Sequence, residues 1–127
     1  MWVNDNERLD NYQWAIVLKE INEPIGSIGA VDMNEKSDMI HIGYAIGRKW
    51  WGKGITAEAL NRLIEFFFND VCAQRIESMH DPNNPNSGRV MQKCGMKYEG
   101  THKKSDFNNQ GICDAAYYAI LKDEYIR

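Results

Sequence analysis

The sequence predicts an α/β domain built on a mixed, mainly antiparallel sheet that is flanked by helices. Three observations predict it: β-prone runs separated by turns, two segments with helical features, and one helix placed between two strands. The resulting order is β, β, β, α, β, α, β, β, which is typical of a mixed sheet covered by helices. A chain of 127 residues suits a single domain, residues 1–127, without an internal linker.

The first half of the chain predicts three strands. Residues Tyr12–Glu20 and Ile25–Val31 are β-prone and flank a tight turn, so they are expected to pair as antiparallel neighbours. A third strand is predicted at Met39–Ile46, where bulky residues alternate with small or polar ones. Gly43 lies inside this strand, and a glycine there indicates a bulge or the close approach of another group, such as a ligand.

The clearest helical pattern follows a loop that contains two glycines. Its apolar residues recur at helical spacing: Leu60, Leu63, Ile64, Phe67 and Val71. The run of phenylalanines at positions 66–68 is interpreted as part of the helix core. The next strand, Arg75–His80, should run parallel to the third strand because a helix connects the two.

A second helix and a hairpin complete the predicted domain. The helix lies between Asn84, as its N-cap residue, and Gly95, which is suited to ending it. Pro85 at the first helical position supports this start. The hairpin consists of Met96–Phe107 and Ile112–Leu121, which are joined by a polar turn.

Charge and composition disfavour several classes of protein. Lys plus Arg total 15 and Asp plus Glu total 18, and the net charge of -3 argues against nucleic-acid or anionic-membrane binding. No apolar run approaches the roughly 18 residues that cross a bilayer, and the polar N-terminus lacks signal-peptide features. Three cysteines without CxxC spacing suit a reducing compartment, so a cytoplasmic protein is expected. His41, His80 and His102 lie on separate elements, so no metal site is predicted.

The loop between the third strand and the first helix carries an anion-binding pattern. Residues Gly47–Gly54 nearly match a P-loop, but Gly54 lacks the hydroxyl that holds Mg²⁺, which disfavours a nucleotide hydrolase. A glycine-containing loop that leads directly into a helix still presents unpaired amides to an anion, and Lys53 adds positive charge. Arg48 and Lys49 extend the basic segment. The other interpretation is an ordinary strand-to-helix turn.

This loop and its flanking elements resemble a known signature. The segments Ile42–Ile46 and Trp51–Leu60 are similar to the acyl-CoA signature of the GNAT acetyltransferases. That family's loop pattern, Q/R-x-x-G-x-G/A, falls on Trp51–Thr56. Trp51 replaces Gln or Arg and Thr56 replaces Gly or Ala, but the family's ligand contacts in this loop are mainly to the backbone.

A second segment resembles one branch of the same family. Residues Asn84–Gly100 are similar to the pattern N-x-x-S-x-R-V-x-x-K-x-G-F-x-x-E-G of the branch that includes ribosomal-protein N-terminal acetyltransferases. Met96 replaces the usual Phe. The resemblance implies an N-acetyltransferase that transfers an acetyl group from acetyl-CoA to a primary amine by direct attack, without a metal. The alternative is a CoA-binding module without efficient catalysis.

The resemblance also implies where the cosubstrate binds. Met39–Ile46 and Arg75–His80 are expected to splay apart, with the pantetheine arm of acetyl-CoA between them like an added strand. The main chain near Ile46 is expected to polarise the thioester carbonyl. Asn84 is expected to contact the arm, to cap its helix, or to do both. The expected cofactor-binding residues are Ile46, Trp51, Gly52, Lys53, Gly54, Ile55, Thr56 and Asn84.

Two residues are candidates for proton transfer by the same resemblance. Ser87 matches a serine proposed as the acid for the CoA thiolate, although a serine at a helix start also bonds local backbone. Asp106 aligns with a carboxylate proposed to act on the amine, directly or through water, although it is also compatible with a solvated position near the turn. Glu99 and Tyr118 are the alternatives.

The segment before the first predicted strand is short for this family. Family members usually begin with a strand and two helices, whereas only Met1–Asn11 precede Tyr12. Those elements are therefore expected to be missing, either because the product is truncated or because a second chain covers the sheet. An uncovered apolar face favours association, so a homodimer is expected. The identity of the amine acceptor stays open.

Overall fold

The computed structural model describes residues 2–10 and 12–125, and for residues 2–10 it describes the backbone alone. Its strands are β1 (Trp2–Asp10), β2 (Gln13–Leu18), β3 (Glu23–Asn34), β4 (Met39–Ile46), β5 (Arg75–His80), β6 (Lys97–Asn108) and β7 (Gly111–Leu121). Its α-helices are α1 (Ile55–Asn69) and α2 (Pro85–Lys93), and short 3₁₀ turns lie at Arg48–Trp50 and Lys122–Glu124.

The strands form one seven-stranded sheet in the order β1-β2-β3-β4-β5-β7-β6. Strands β4 and β5 pair in parallel, whereas the other described neighbours pair antiparallel. Hairpin turns join the antiparallel neighbours that follow one another along the chain, whereas α1 carries the chain from the end of β4 back to the start of β5 and so makes these two strands parallel. The predicted mixed, mainly antiparallel sheet with one parallel pair is confirmed.

The structure has a strand, β1, before β2, where the sequence predicts none. It pairs antiparallel with β2, from Trp2 opposite Val17 to Asp10 opposite Gln13, with two irregularities in register. Residues 2–10 are mostly polar and lack an apolar alternation, so their pattern does not predict a strand. Main-chain pairing with β2 forms it instead. Between residues 12 and 54 the structure has no α-helix.

Helices α1 and α2 bury one common core against one face of the sheet. Four of the residues predicted from helical spacing, Leu60, Leu63, Ile64 and Phe67, are at most 2% exposed on α1, as are Ala59 and Phe68. Phe66 lies at the edge of this core, against Tyr12 and Trp14. Because α1 ends at Asn69, Val71 packs against the core from just beyond the helix. Neither helix is long and apolar enough to cross a membrane.

The strands and the second helix largely keep their predicted bounds. Strands β4 and β5 begin and end at the predicted residues, and α2 starts at Pro85 after Asn84. Gly95 ends α2 with a φ of 86°, a conformation that favours glycine. Strand β3 continues past Val31 to Asn34 because its polar end pairs with β4 through main-chain bonds.

Candidate functional site

Strands β4 and β5 separate partway along their length. Their parallel ladder ends at the pair His41 and Glu77. Strand β4 nevertheless continues to Ile46, and β5 continues to His80. The last residues of both strands therefore border a gap in the sheet, here called the strand gap, which confirms the expected splayed pair.

Ser78 fixes the closed end of the strand gap. This residue is 1% exposed, and its hydroxyl donates a hydrogen bond of 2.7 Å to the main-chain carbonyl of Ile42. A side chain thus satisfies a β4 carbonyl at the first position where the strands separate. The sequence pattern does not reveal this bond, because a lone serine within a strand predicts no particular contact.

Strand β4 presents main-chain groups to the strand gap. Alternate residues of a strand direct their N–H and C=O groups to the same side. The amide of Gly47 bonds to Ile25 of β3, so the groups of Ile46, one residue earlier, face the other way. The Ile42 carbonyl also faces β5, and Tyr44 lies between the two. The edge of β4 at the gap therefore carries the main-chain groups of Tyr44 and Ile46.

The loop after β4 has the backbone shape that anion binding requires. Gly52 and Gly54 have φ angles of 73° and 79°, a region that glycine occupies without steric cost. Gly54 is the N-cap residue of α1 and has no side chain to accept hydrogen bonds from the first amides of the helix. Those amides, at the positive end of the helix dipole, favour an anion.

Helix α2 begins on the other side of the strand gap. Asn84 occupies its predicted N-cap position, but the Asn84 side chain makes no capping hydrogen bond. The Asn84 carbonyl accepts a hydrogen bond of 3.1 Å from Nδ1 of His80, at the end of β5. The capping role that the sequence suggests for Asn84 is therefore not the one its side chain performs.

A cavity of about 340 Å³ lies between the end of β4, the loop and the first turns of α1 and α2. Its volume is in the range of small-molecule sites. The structure brings all the expected cofactor-binding residues to this cavity, together with Ser87: Ile46, Trp51, Gly52, Lys53, Gly54, Ile55, Thr56 and Asn84.

Basic side chains from two elements line the cavity. Lys53 comes from the loop, whereas Arg89 and Lys93 come from α2. Neither Arg89 nor Lys93 is among the predicted site residues, although their spacing of four residues places them on one side of a helix. This spacing, next to a predicted anion site, was the signal that could have found them. The cavity is therefore electropositive on two sides.

Arg48 and Lys49 do not line the cavity, although in the sequence they belong to the same basic segment as Lys53. They lie over the indole rings of Trp51 and Trp50, at 5.5 and 4.8 Å from the ring centroids. The Nε1 atom of Trp51 donates a hydrogen bond of 3.0 Å to the carbonyl of Ile46. Trp51 thereby fixes the loop against the end of β4.

A contact from β4 holds Ser87 at the cavity. The hydroxyl of Tyr44 donates a hydrogen bond of 3.1 Å to the main-chain carbonyl of Ser87 and so ties the first turn of α2 across the strand gap. Burial raises the pKa of Tyr44, which keeps the hydroxyl a neutral donor. Ser87 is half-buried and lines the cavity.

Gly43 serves packing, not room for a ligand. A Cβ atom on Gly43 would lie 2.8 Å from Cγ1 of Val31, and Val31 is the residue at which β3 departs from regular register. Gly43 is not among the residues that line the cavity. A bulge in the neighbouring strand, one of the two interpretations offered by the sequence, therefore explains this glycine.

Asp106 lies on the sheet face away from the helices, here called the outer face. It pairs with Cys113 of β7. Cys113 and Tyr117 are four residues apart on β7, so they lie on the same face of the sheet. Tyr117 pairs with Met79 of β5. That face is opposite to the one that buries Ile76. Asp106 does not line the cavity, so the two predicted catalytic residues lie on different sides of the sheet.

The alternatives Glu99 and Tyr118 are engaged elsewhere. Glu99 accepts hydrogen bonds of 2.6 and 3.0 Å from Arg75, which lower the pKa of Glu99. Tyr118 is 8% exposed, and its hydroxyl accepts a hydrogen bond of 3.4 Å from Gln92. Neither residue lines the cavity. Their contacts support structural roles.

Comparison with known proteins agrees with this geometry. Residues 1–97 match the family model described as an acetyltransferase (GNAT) domain. The chain is 36% identical over 124 residues to the uncharacterized N-acetyltransferase YnaD of Bacillus subtilis strain 168, a match that covers 98% of this chain and 72% of that protein.

Two further similarities concern length and fold. The chain is 30% identical over 113 residues to the uncharacterized N-acetyltransferase p20 of Bacillus licheniformis, over 89% of this chain. It spans 64% of that relative, which is less than two thirds of its length. The crystal structure of a ribosomal-protein-S5-alanine acetyltransferase from Vibrio fischeri matches with a TM-score of 0.82 at 25% identity, over 91% of this chain and 63% of that one.

Proposed function

Because this chain belongs to the GNAT acetyltransferase family, we propose that its cavity binds acetyl-CoA and that the protein transfers the acetyl group to a primary amine. One observation carries the proposal. The β4–β5 ladder stops at His41 and Glu77, yet both strands continue and border the strand gap. An extended molecule that bears amides fits such a gap as an added strand.

The pantetheine arm is proposed to pair with the edge of β4. The main-chain groups of Ile46 and Tyr44 face the gap, two residues apart, as a ladder of hydrogen bonds requires. Ile46 lies beside the loop, where Trp51 bonds to its carbonyl. An amide of the arm is therefore proposed to pair with the main chain of Ile46, near the mouth of the gap. The thioester carbonyl lies deeper in the gap, towards Tyr44, where main-chain N–H groups can polarise it.

The pyrophosphate is proposed to bind at the start of α1. The amides of residues 52–56, uncapped by any side chain of Gly54, supply hydrogen-bond donors and the positive end of the helix dipole. Lys53, Arg89 and Lys93 supply charge for the phosphate groups. Asn84, whose side chain does not cap α2, is proposed to contact the arm.

The two residues proposed for proton transfer lie on opposite sides of the sheet. Ser87 lines the cavity and is proposed to protonate the CoA thiolate as it leaves. Asp106 lies on the outer face and is proposed to act on the amine, directly or through water. An amine that attacks from the outer face meets the thioester on the side opposite to the helices.

The acceptor is proposed to be a protein N-terminus or a small amine. The similar Vibrio fischeri protein is named for acetylating alanine of a ribosomal protein, which makes an alanine N-terminus the first acceptor to examine. No disulfide bond joins Cys72, Cys94 and Cys113, which supports the proposal of a reducing, cytoplasmic location. A homodimer, checked by sedimentation, is part of the proposal because it would cover the outer face.

The experiment measures amine-dependent release of CoA thiol from acetyl-CoA. The acceptors are a peptide with an N-terminal alanine, spermidine and an amino sugar, and a parallel calorimetric titration with CoA measures binding. The proposal expects CoA to bind and at least one amine to accelerate thiol release. Binding without acceleration by any amine would favour a CoA-binding module without efficient catalysis, and no binding would refute both.

A further inference from the structure

A valine side chain lies on the outer face next to the strand gap. Ile42 and Tyr44 pack into the core that the helices cover, so Gly43, which lies between them, faces outwards. A Cβ atom on Gly43 would lie 2.8 Å from Cγ1 and 3.5 Å from Cγ2 of Val31, so the Val31 side chain lies directly over Gly43. Val31 is 61% exposed, which leaves most of its surface free to contact a ligand.

A bulge in β3 places this side chain. The pairs before and after it join Ala30 to Ile42 and Asp32 to His41, so Val31 is an extra residue without a partner on β4. In a regular ladder residue 31 would pair with His41 and lie beside its side chain. The bulge turns Val31 instead towards the next position of β4, which has no side chain. Bulges next to functional sites re-aim side chains in this way.

Met79 lies across the strand gap from Val31. Paired residues of β4 and β5 differ by 36 in number, and the hydrogen bond from Ser78 to Ile42 continues this offset. The same offset places Met79 at the level of Gly43. Alternation along β5 directs the half-buried side chain of Met79 to the outer face. Val31 and Met79 therefore flank the outer mouth of the gap, and the two are here called the acceptor rim.

The acceptor rim lies where the amine is proposed to approach. The thioester is proposed to lie towards Tyr44, one residue from Gly43 along β4. One residue of a strand spans about 3.3 Å, and neighbouring strands are about 4.8 Å apart. The rim is therefore within contact of the groups attached to an amine that attacks the thioester from the outer face.

The two rim side chains are apolar and offer no hydrogen bond to an ammonium group. They are suited to contact the carbon atoms next to the nitrogen. Val31 is β-branched, and its branched side chain has little rotational freedom. Met79 is unbranched and adapts its shape to its surroundings. Val31 is therefore the side of the rim that sets a limit on size.

Given the function proposed above, on which this assignment rests, we infer that Val31 is a specificity-determining residue that, with Met79, limits the size of the group on the carbon that bears the amine. The class of acceptor is a primary amine whose carbon carries, besides the rest of the acceptor, at most a methyl group, as in an N-terminal alanine. An isopropyl group on that carbon, as in an N-terminal valine, meets the side chain of Val31. Val31 takes up no proton and forms no bond in the reaction.

The test compares Val31→Ala with a matched control, Met33→Ala. Met33 lies on the same strand and is 42% exposed, but it pairs with Ile40, whose side chain is in the core under the helices. The kcat/KM is measured for the accepted amine and for its analogue with an isopropyl group on the same carbon, which for a peptide means N-terminal alanine against N-terminal valine. Wild type should prefer the smaller acceptor about tenfold or more.

Val31→Ala should raise kcat/KM for the larger acceptor about tenfold and leave that for the smaller one within about threefold. Met79→Ala should act in the same direction but less, because methionine already adapts. Val31→Phe should act in the opposite direction and make N-terminal alanine about tenfold poorer than N-terminal glycine. Met33→Ala should keep the wild-type ratio, and CoA affinity by calorimetry should be unchanged in all four variants.

A spectroscopic measurement requires no turnover. In wild-type protein saturated with CoA, which carries no acetyl group to transfer, the accepted amine should shift the methyl signals of Val31 and Met79 but not that of Met33. Unchanged methyl signals of Val31, or a Val31→Ala variant that binds CoA and keeps the wild-type ratio, would overturn the assignment and leave the acetyltransferase proposal intact. A wild-type protein that binds CoA but releases no thiol with any amine would refute the proposed catalysis, and with it this inference.

Discussion

The two ends of the β4–β5 strand pair are built for different tasks. At the closed end, Arg75 bonds to both Glu77 and Glu99, and Ser78 bonds to Ile42, so polar groups satisfy one another. At the other end the strands part, and Gly54 and Asn84 leave the helix starts without side-chain caps. The first arrangement stabilises the sheet, whereas the second leaves donors and positive charge for a ligand.

This difference shows how one sheet combines a rigid frame with a binding site. A satisfied network contributes to folding, and an unsatisfied helix start contributes to binding only when an anion arrives. Substitutions at the two ends should therefore separate, with stability affected at the closed end and ligand affinity or turnover at the gap.

The largest expected effect is on turnover. Ser87→Ala should lower kcat about 100-fold, with CoA affinity nearly unchanged, because Ser87 is proposed to transfer a proton and not to hold phosphate. Asp106→Asn should likewise lower kcat more than CoA affinity. Ser105→Ala is the control, since its hydroxyl bonds to the carbonyl of His102 on β6, away from the cavity. Wild-type kcat in Ser87→Ala would remove the serine from the mechanism.

The next effect concerns the shape of the loop. Gly54→Val should weaken CoA binding about 10- to 100-fold, because a β-branched residue is strained at a φ of 79° and displaces the amides at the start of α1. Gly54→Ala is the matched control: a Cβ there meets open space, and alanine brings neither a β-branch nor a side chain that could cap the amides of α1. Calorimetry should find the Ala variant within a few-fold of wild type. Equal losses in both variants would show that bulk, not backbone geometry, matters.

A smaller effect on CoA affinity is expected when one positive charge of the cavity, that of Arg89, is removed. Arg89→Gln should weaken CoA binding about tenfold, since a charge-assisted hydrogen bond to phosphate is lost while the amides of the loop remain. The dependence of CoA affinity on salt concentration should become shallower. Lys19→Gln, on an exposed residue after β2, should change neither quantity. An unchanged affinity in Arg89→Gln would place the phosphates away from α2.

The smallest effect on binding is expected at the closed end. Arg75→Met should lower the free energy of unfolding by about 1–3 kcal/mol, because two carboxylates lose their donor, while CoA affinity stays the same. Arg62→Met is the control, because its pair with Glu65 is 3.6 Å long and half exposed on both sides. Loss of CoA affinity in Arg75→Met would contradict the division between the two ends.

The pair of Arg75 and Glu99 makes the stability of the fold depend on pH. Arg75 lowers the pKa of Glu99, so this pair stabilises the fold above the ordinary pKa of a glutamate, about 4.3, and the stabilisation is lost as pH falls through the lowered value. Urea unfolding at neutral pH and below pH 4 should therefore show a larger decrease for wild type than for Arg75→Met. Parallel decreases would show that Glu99 does not sense Arg75.

Local sequence patterns predicted most of the strands and helices, but they did not predict contacts between residues far apart along the chain. The bounds of β4 and β5, the start of α2 and the glycine loop follow from alternation, capping residues and glycine placement, which are local properties. The bond from Ser78 to Ile42 and the pair of His41 with Glu77 each join positions 36 residues apart. Such pairs depend on strand register, which no single segment encodes. Strand β1 escaped prediction because its residues are mostly polar and show no apolar alternation.

The central claim is that the strand gap and the two helix starts form the CoA site. Amide chemical shifts of the ¹⁵N-labelled protein, recorded as CoA is added, test it most directly. The account predicts progressive shifts at residues 44–56 and 84–90, with little change at residues 75–77 and at Glu99. Shifts confined to the β6–β7 hairpin, or an unchanged spectrum at saturating CoA, would contradict it.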